Sequence, residues 1–318
     1  MERSDAPAIE LRGVRKTFGQ FEAVKPLDLV IPRGATYGLL GPNGAGKTTT
    51  IRMILRIIDT DSGAVHILGE PQSQQGLDRI GYLPEERGVY RRMKVRRLLS
   101  FFAELKGVSA RLAKPRVAKW LERFELTEWS ERKLQELSKG MQQKVQFIAA
   151  ILHEPEIVIL DEPFSGMDPI NQRVLREIIG ELKRAGRTIL FSTHIIEQAE
   201  RICDHVCIIA RGEKVADGPI AEVKRRHGAE YVGITLANWS AQVVESLRRL
   251  PQVAQLNENG SDLEIRLRDR EDPQSLLQVL VRDGVALKRF EIREPSLEQV
   301  FIERVGAREQ DEQELIHV

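Results

Sequence analysis

Gly41-Pro42-Asn43-Gly44-Ala45-Gly46-Lys47-Thr48-Thr49 decides how the rest of this chain is read, because it fills every position of the pattern G-x-x-x-x-G-K-[ST]. The apolar run Tyr37-Gly38-Leu39-Leu40 comes just before it. After it, from Lys47 to Ile58, Ile51, Ile54, Leu55 and Ile58 recur at helical spacing. Strand, glycine turn and helix in that order predict a phosphate cradle. The glycines at 41, 44 and 46 let the backbone of Asn43 and its neighbours turn inward, so that N–H groups and the positive helix end surround an anion. Lys47 brings a point charge for the outer phosphates of a nucleotide, Thr48 a hydroxyl for Mg²⁺, and Thr49 a bond to a neighbouring phosphate oxygen. A glycine turn that merely caps a helix is the plainer alternative, and the flanking pattern argues against it.

Bulk properties set the limits. A length of 318 residues makes about two domains the expectation. With 48 basic and 47 acidic side chains, a net charge of +1 carries no footprint of nucleic-acid binding. No apolar stretch approaches the roughly 18 to 20 residues that span a bilayer, and Met1 to Pro7 lacks a signal-peptide core. The expected location is the cytoplasm, with membrane contact only through a partner. Cys203 and Cys207 flank His205 as C-D-H-V-C. A structural zinc site wants four ligands in more separated pairs, so both are expected to be buried small residues.

Residues Ile9 to Ile31 read as short strands, and Val65 to Leu68 as another. Between Val89 and His153 the pattern turns helical and rich in Arg, Lys, Glu and Leu, as a helical insertion of about 89–153 would be. The runs Ile157–Leu160, Thr188–Phe191 and Val206–Ile209 are continuously apolar, as strands buried on both faces of a parallel sheet are. Helix-like segments, 171–185 and 195–201, separate them. After Lys224-Arg225-Arg226-His227-Gly228 a second unit begins. Its order is strand (230–236), helix (241–250), strand (253–257), strand (263–267), helix (273–282) and strand (286–292), the βαββαβ order of a ferredoxin-like sandwich. A last helix is expected over 295–305, and 306–318 reads as a polar tail.

Ile157 to Leu160 end in Asp161-Glu162, two carboxylates at the carboxyl end of a buried strand, where open α/β sheets bind ligands. Asp161 is placed to orient Mg²⁺, and Glu162, one residue on, to polarise a water for in-line attack on the γ-phosphate. Upstream, Leu137-Ser138-Lys139-Gly140-Met141-Gln142-Gln143-Lys144-Val145 resembles the signature sequence of the ABC ATPase family. Ser138 reads as a helix N-cap, with Val145, Ile148, Ala149 and Leu152 following on one face.

The resemblance covers roughly Ala8 to Lys224 and implies a P-loop ABC ATPase cassette of α/β class, at 8–224, followed by a small α+β domain at 229–305. It implies that Ser138 and Gly140 contact the γ-phosphate held by a second cassette. Phe18 matches the aromatic that stacks on adenine. Glu85, in Gly81-Tyr82-Leu83-Pro84-Glu85, stands where most of the family has a glutamine that contacts Mg²⁺ and the attacking water. Ser165-Gly166-Met167-Asp168 resembles the loop that crosses the dimer interface, and His194 the switch histidine on the γ-phosphate. Lys139 replaces the usual glycine of the signature, and Met141 a frequent glutamine. The segment Glu294-Pro295-Ser296-Leu297-Glu298-Gln299-Val300-Phe301 resembles the C-terminal extension of ATP-binding subunits of ABC-2 type exporters.

Together these features lead to an expected ATP-hydrolysing motor, using ATP and Mg²⁺, that works as a homodimer of cassettes on a separate transmembrane permease. Nucleic acid is not expected as a partner. By resemblance, the basic stretch Arg87 to Arg97 lies where the helical region receives a coupling segment of the membrane subunit. A solvated basic helix face is the alternative. The rival functions are a soluble ABC ATPase acting on ribosomes or DNA, and a slow ATP-sensing dimer scaffold. Only about ninety residues separate Thr48 from Leu137, without sustained heptads, which leaves no room for the long coiled coil of DNA-repair members.

Overall fold

The computed structural model describes residues 6–86, 90–227, 231–268 and 273–316. The chain divides into two compact units, Met1–Asp217 and Gly218–Val318. In the first run β1 (Ile9–Phe18), β2 (Phe21–Ile31), β3 (Thr36–Leu40), α1 (Lys47–Ile54), β4 (Ser62–Ile67), β5 (Glu70–Pro71), α2 (Gln74–Asp78) and β6 (Ile80–Leu83). Helices α3 (Val95–Leu105), α4 (Ala110–Arg123) and α5 (Lys139–Ile151) come next. Then follow β7 (Ile157–Asp161), α6 (Pro169–Arg184), β8 (Thr188–Thr193), α7 (Ile196–Ile202), β9 (His205–Ala210) and β10 (Glu213–Pro219).

The main sheet has the order β10-β9-β3-β8-β7-β6. Its pairs β9–β3, β3–β8, β8–β7 and β7–β6 are parallel. Every residue of β3, β7 and β8 is buried, which is why these segments are apolar runs and not alternating ones. A second sheet, β2-β1-β4-β5, is antiparallel and shares one core with the first through Leu29, Leu39, Ile51, Ile159 and Ile209. Parallel pairing brings the carboxyl ends of β3, β7 and β8 to one edge, with Leu40 beside Thr193 and Asp161 beside Ser192. The loops that carry chemistry therefore leave the sheet together.

α1 ends at Ile54, although its apolar period runs on to Ile58. Arg56 adopts a left-handed conformation (φ 54°), and the Gln72 side-chain amide donates to the carbonyls of Met53 and Ile54, each at 2.8 Å. Ile58 still packs on the core. Cys203 and Cys207 are both buried free thiols. Burial pushes the Cys207 thiol well above its ordinary range, and among the described residues no group of His, Cys, Asp or Glu has the arrangement of a metal site.

The second unit contains α8 (Ile220–His227), β11 (Tyr231–Leu236), α9 (Ala241–Arg248), β12 (Val253–Asn259), β13 (Asp262–Leu267), α10 (Pro273–Arg282), β14 (Leu287–Arg293) and α11 (Leu297–Ile316). Its sheet order β12-β13-β11-β14 is antiparallel throughout, as a ferredoxin-like βαββαβ sandwich requires. Val232, Ile234, Ile265 and Leu267 on one face pack with Val244 and Leu247 of α9 and Leu276 and Leu280 of α10. Tyr231 and Arg266, which alternate with these core positions, meet Glu303 of α11. The Tyr231 hydroxyl donates to Glu303 Oε1 at 3.2 Å, and Arg266 Nε lies 2.9 Å from the same oxygen.

Two boundaries differ from the pattern in the sequence. The division at 217/218 gives α8, which packs against α11, to the second unit, although the cassette reads on to Lys224. The expected tail at 306–318 is instead helical as far as Ile316 within α11. Gly306 costs that helix about 1 kcal/mol relative to alanine, and the following Ala, Arg, Glu and Gln residues are strong helix formers that offset it.

Where α5 crosses β6 the two backbones touch: a Cβ added to Gly81 would lie 2.0 Å from the carbonyl oxygen of Ala150. Gly81→Ala is expected to destabilise the protein by about 1–3 kcal/mol through overpacking. Urea unfolding of the two proteins checks it, and an unchanged midpoint would mean that α5 is free to move off the sheet.

Candidate nucleotide site

The loop residues Asn43 to Gly46 line a cavity of about 390 Å³ together with Lys47, Thr48 and Thr49, and Phe18, Phe21, Ala23, Glu85 and Glu162 complete its wall. Asn43, Gly44 and Gly46 are on the loop side. Gly46 is held at φ 104°, and a Cβ there would sit 2.6 Å from the Ala23 carbonyl oxygen, so the turn tolerates no side chain. Phe18 is 51% exposed and Phe21 63%. Two half-bare rings at the rim of a polar cavity have the flat apolar faces on which a heterocycle can stack, and neither ring belongs to the core.

Lys47 is 6% exposed, and its ammonium donates to the carbonyls of Gly41 at 2.8 Å and Pro42 at 3.1 Å. Burial lowers its pKa, against the opposing charges of Glu162, Asp161 and Glu85. Asp161 is 1% exposed. Its Oδ1 accepts from the Ser192 hydroxyl and, at 3.4 Å, from that of Thr48, while its Oδ2 is buried with no hydrogen-bond partner. Burial raises the Asp161 pKa, and the hydroxyl bonds from Ser192 and Thr48 only partly offset it. Glu85 is raised too, by burial first and then by the charges of Asp161 and Glu162. An orphaned carboxylate oxygen beside a threonine hydroxyl is the hard oxygen donor set that suits Mg²⁺, so the residues fit that ion.

Glu162 sits at φ 47°, a left-handed position that a β-to-loop junction rarely gives to a long side chain. Several interactions fix its carboxylate and backbone. The His194 backbone N–H donates to Oε1 at 2.9 Å, His194 Nδ1 lies 2.8 Å from the same oxygen, and the Thr193 hydroxyl donates to Oε2 at 3.3 Å. The Glu162 N–H donates to the Ser192 carbonyl at 3.1 Å. His194, half exposed, thus orients the carboxylate that faces the cavity.

Ser138, Gly140 and Asp168 lie elsewhere. None of them lines this cavity. Ser138 caps α5, accepting from the Met141 N–H at 3.3 Å. Asp168 caps α6, accepting from the Asn171 N–H at 3.0 Å. A Cβ on Gly140 would lie 3.7 Å from Asn171 Nδ2, so the starts of the two helices lie side by side. Motif reading missed Phe21, Asn171 and the anchoring roles of Ser192 and Thr193. The hydroxyl pair before His194 was the available signal, but its use depends on the parallel register of β7 and β8.

Fold and site together define a P-loop nucleotide-hydrolysing cassette joined to a ferredoxin-like domain. Residues 24–165 match the ABC transporter family, and residues 218–305 match the ATP-binding protein DrrA1-3-like C-terminal domain. The chain is 44% identical over 294 residues to the ABC transporter ATP-binding protein YhaQ of Bacillus subtilis (strain 168), covering 92% of this chain and 97% of that protein. It is 34% identical over 303 residues to the Nod factor export ATP-binding protein I of Rhizobium sp. (strain N33), covering 94% and 97%. A solved ATP binding subunit of an ABC transporter superposes with a TM-score of 0.66 at 32% identity, over 70% of this chain and 93% of that one. The chain belongs to the ATP-binding proteins of ABC transporters and is an ATPase. Among the described residues no helix is long and apolar enough to cross a membrane.

Because its raised pKa makes Asp161 costly to ionise, the stability this group contributes is fully present below its ordinary value of 3.8 and is lost as pH rises through the raised one. Asp161→Asn is therefore expected to raise the melting temperature of protein freed of nucleotide and Mg²⁺ by a few degrees at pH 8. The gain should shrink as pH falls toward the ordinary carboxylate range. Differential scanning calorimetry across that range checks the sign, and a pH-independent difference would contradict it.

Proposed function

We propose that this chain is the motor of a membrane exporter, with two copies closing around ATP and reopening on hydrolysis to drive a separate transmembrane permease. The Glu162 carboxylate, clamped by His194 and Thr193 at the wall of the phosphate-loop cavity, is the observation that carries the reading. Phe18 and Phe21 hold the adenine, while the loop N–H groups, Lys47 and Thr49 hold the phosphates. Glu162 accepts a proton from water as its oxygen bonds to the γ-phosphorus and the bond to the bridging oxygen breaks, giving ADP and phosphate. Thr48, Asp161 and Glu85 would hold Mg²⁺, which when bound neutralises charge on the phosphate oxygens.

Ser138 and Asp168, both exposed, and the half-buried Gly140, all outside the cavity, serve the γ-phosphate of a second copy, so that neither site is complete alone. ATP then acts as the bridge between cassettes, and its hydrolysis releases them. The similarity to a Nod factor export subunit supports the exporter assignment. For the permease, a surface cavity of about 650 Å³ is lined by Tyr90, Arg91, Arg92, Met93, Lys94, Arg97 and Lys133. Lys94 and Arg96 are occupied by Glu131, at 3.2 and 2.9 Å, which leaves Arg91, Arg92 and Arg97 to meet acidic groups on a partner. Arg87, of the same basic run, lies outside the described residues.

Glu162→Gln is expected to slow hydrolysis by roughly 10²- to 10⁴-fold with ATP binding retained. Steady-state ATPase assays with a binding isotherm decide it, and undiminished turnover removes Glu162 from the role of base. Tagged Glu162→Gln protein, pulled from detergent-solubilised host membranes with Mg-ATP, is expected to bring a stoichiometric multi-spanning partner. Adding Arg91→Glu and Arg92→Glu should lower that recovery at least several-fold. Recovery of ribosomes or DNA-repair proteins without a membrane protein would favour a soluble ATPase instead.

A further inference from the structure

Two charged residues are each out of place within a single chain. Glu85 lines the phosphate-loop cavity close to Asp161 and Glu162, and among the described residues Lys47 is the only basic side chain on that wall. Three carboxylates therefore share one ammonium, before Mg-ATP adds its own net negative charge. Glu85 makes no ion pair among the described residues. A glutamine at that place would offer the same oxygen without the charge, so the excess is a property of this chain.

Lys139 has the opposite defect. It is the first residue of α5, exposed, without an ion pair among the described residues, and no acidic residue stands in that helix's first turn. The N-terminal end of a helix carries positive partial charge, which makes it an unfavourable place for a lysine and a favourable one for an anion. Its neighbours give it no relief: Gly140 carries no charge and faces the Asn171 amide, and Asp168 is occupied by Asn171.

Resting on the two-copy reading above, we propose that Glu85 and Lys139 of the partner subunit form a charge pair across the closed dimer. Ser138 and Gly140 flank Lys139, so the segment that presents them to the γ-phosphate also brings an ammonium toward the wall where Glu85 stands. The pair offsets one negative charge of the carboxylate-rich wall and gives Lys139 the anion that its helix end lacks. Within one chain neither charge has an ion-pair partner among the described residues; closure of two copies gives each the other. The closed state is thereby favoured over the separated one by a contact that neutral residues at the two positions do not supply.

The test uses four full-length proteins in the Glu162→Gln background, which holds the closed state with Mg-ATP: the background itself, Lys139→Gly, Glu85→Gln, and the two together. Sedimentation reads the Mg-ATP-dependent dimer affinity, and dilution into unlabelled ATP reads nucleotide release from the dimer. Lys139→Gly is expected to weaken the dimer about tenfold, with correspondingly faster release, when Glu85 is present, and to change either by less than about twofold alongside Glu85→Gln. Equal effects of Lys139→Gly in the two backgrounds overturn the pair and leave the sandwich standing. A chain that stays monomeric with Mg-ATP in all four overturns the sandwich and the pair with it.

Discussion

The parallel pairing of β7 with β8 is the constraint on which the site depends. It sets Asp161 beside Ser192, so the serine hydroxyl reaches the buried carboxylate, and Glu162, just past the end of β7, meets His194, just past the end of β8. A shift of one residue in that register would turn Asp161 to the opposite face of the sheet. The buried apolar runs Ile157–Leu160 and Ile189–Phe191 hold the register, since any slip would leave backbone donors unpaired in a dry interior. The geometry of the site is a by-product of how two hydrophobic strands bury themselves.

Charge at the edge of the sheet is kept at a cost. Asp161 and Glu85 are both harder to ionise than in water, and Lys47 is harder to protonate, because burial penalises every charged form. Such a cluster is poorly balanced by itself and well suited to receive a polyphosphate with a divalent cation. The local backbone adds to this preparation. Gly46 and Glu162 both occupy left-handed conformations, one so that the loop can approach Ala23 and the other so that the carboxylate can turn back toward the cavity. Strain of this kind persists because the core beneath it is closely packed.

The second unit follows a different logic. Its antiparallel sheet buries one face against α9 and α10, as alternating sequences do, while the polar face is tied to α11 by Glu303, Arg266 and Tyr231. The start of that helix is held as well by Leu297 and Val300, both fully buried. Charged side chains on a sheet face and a charged helix thus answer one another, and neither pattern alone reveals the other.

Local signals were enough for the phosphate loop, the carboxylate pair after β7, the signature segment and the βαββαβ order, because glycine spacing, apolar runs and their periods act within a few residues of chain. Contacts between distant segments were not legible in this way. That Ser192 and Thr193 anchor the two carboxylates, that Phe21 joins Phe18 at the rim, that Gly81 is required by the Ala150 carbonyl, and that α11 runs to Ile316 all rest on neighbours remote in sequence or on a balance of propensities. The sequence by itself determined which chemical groups this protein has and in what order. Only the tertiary structure decided which of them share a cavity and which face away from it, because register and packing between strands are set by burial over the whole core and not by any one motif.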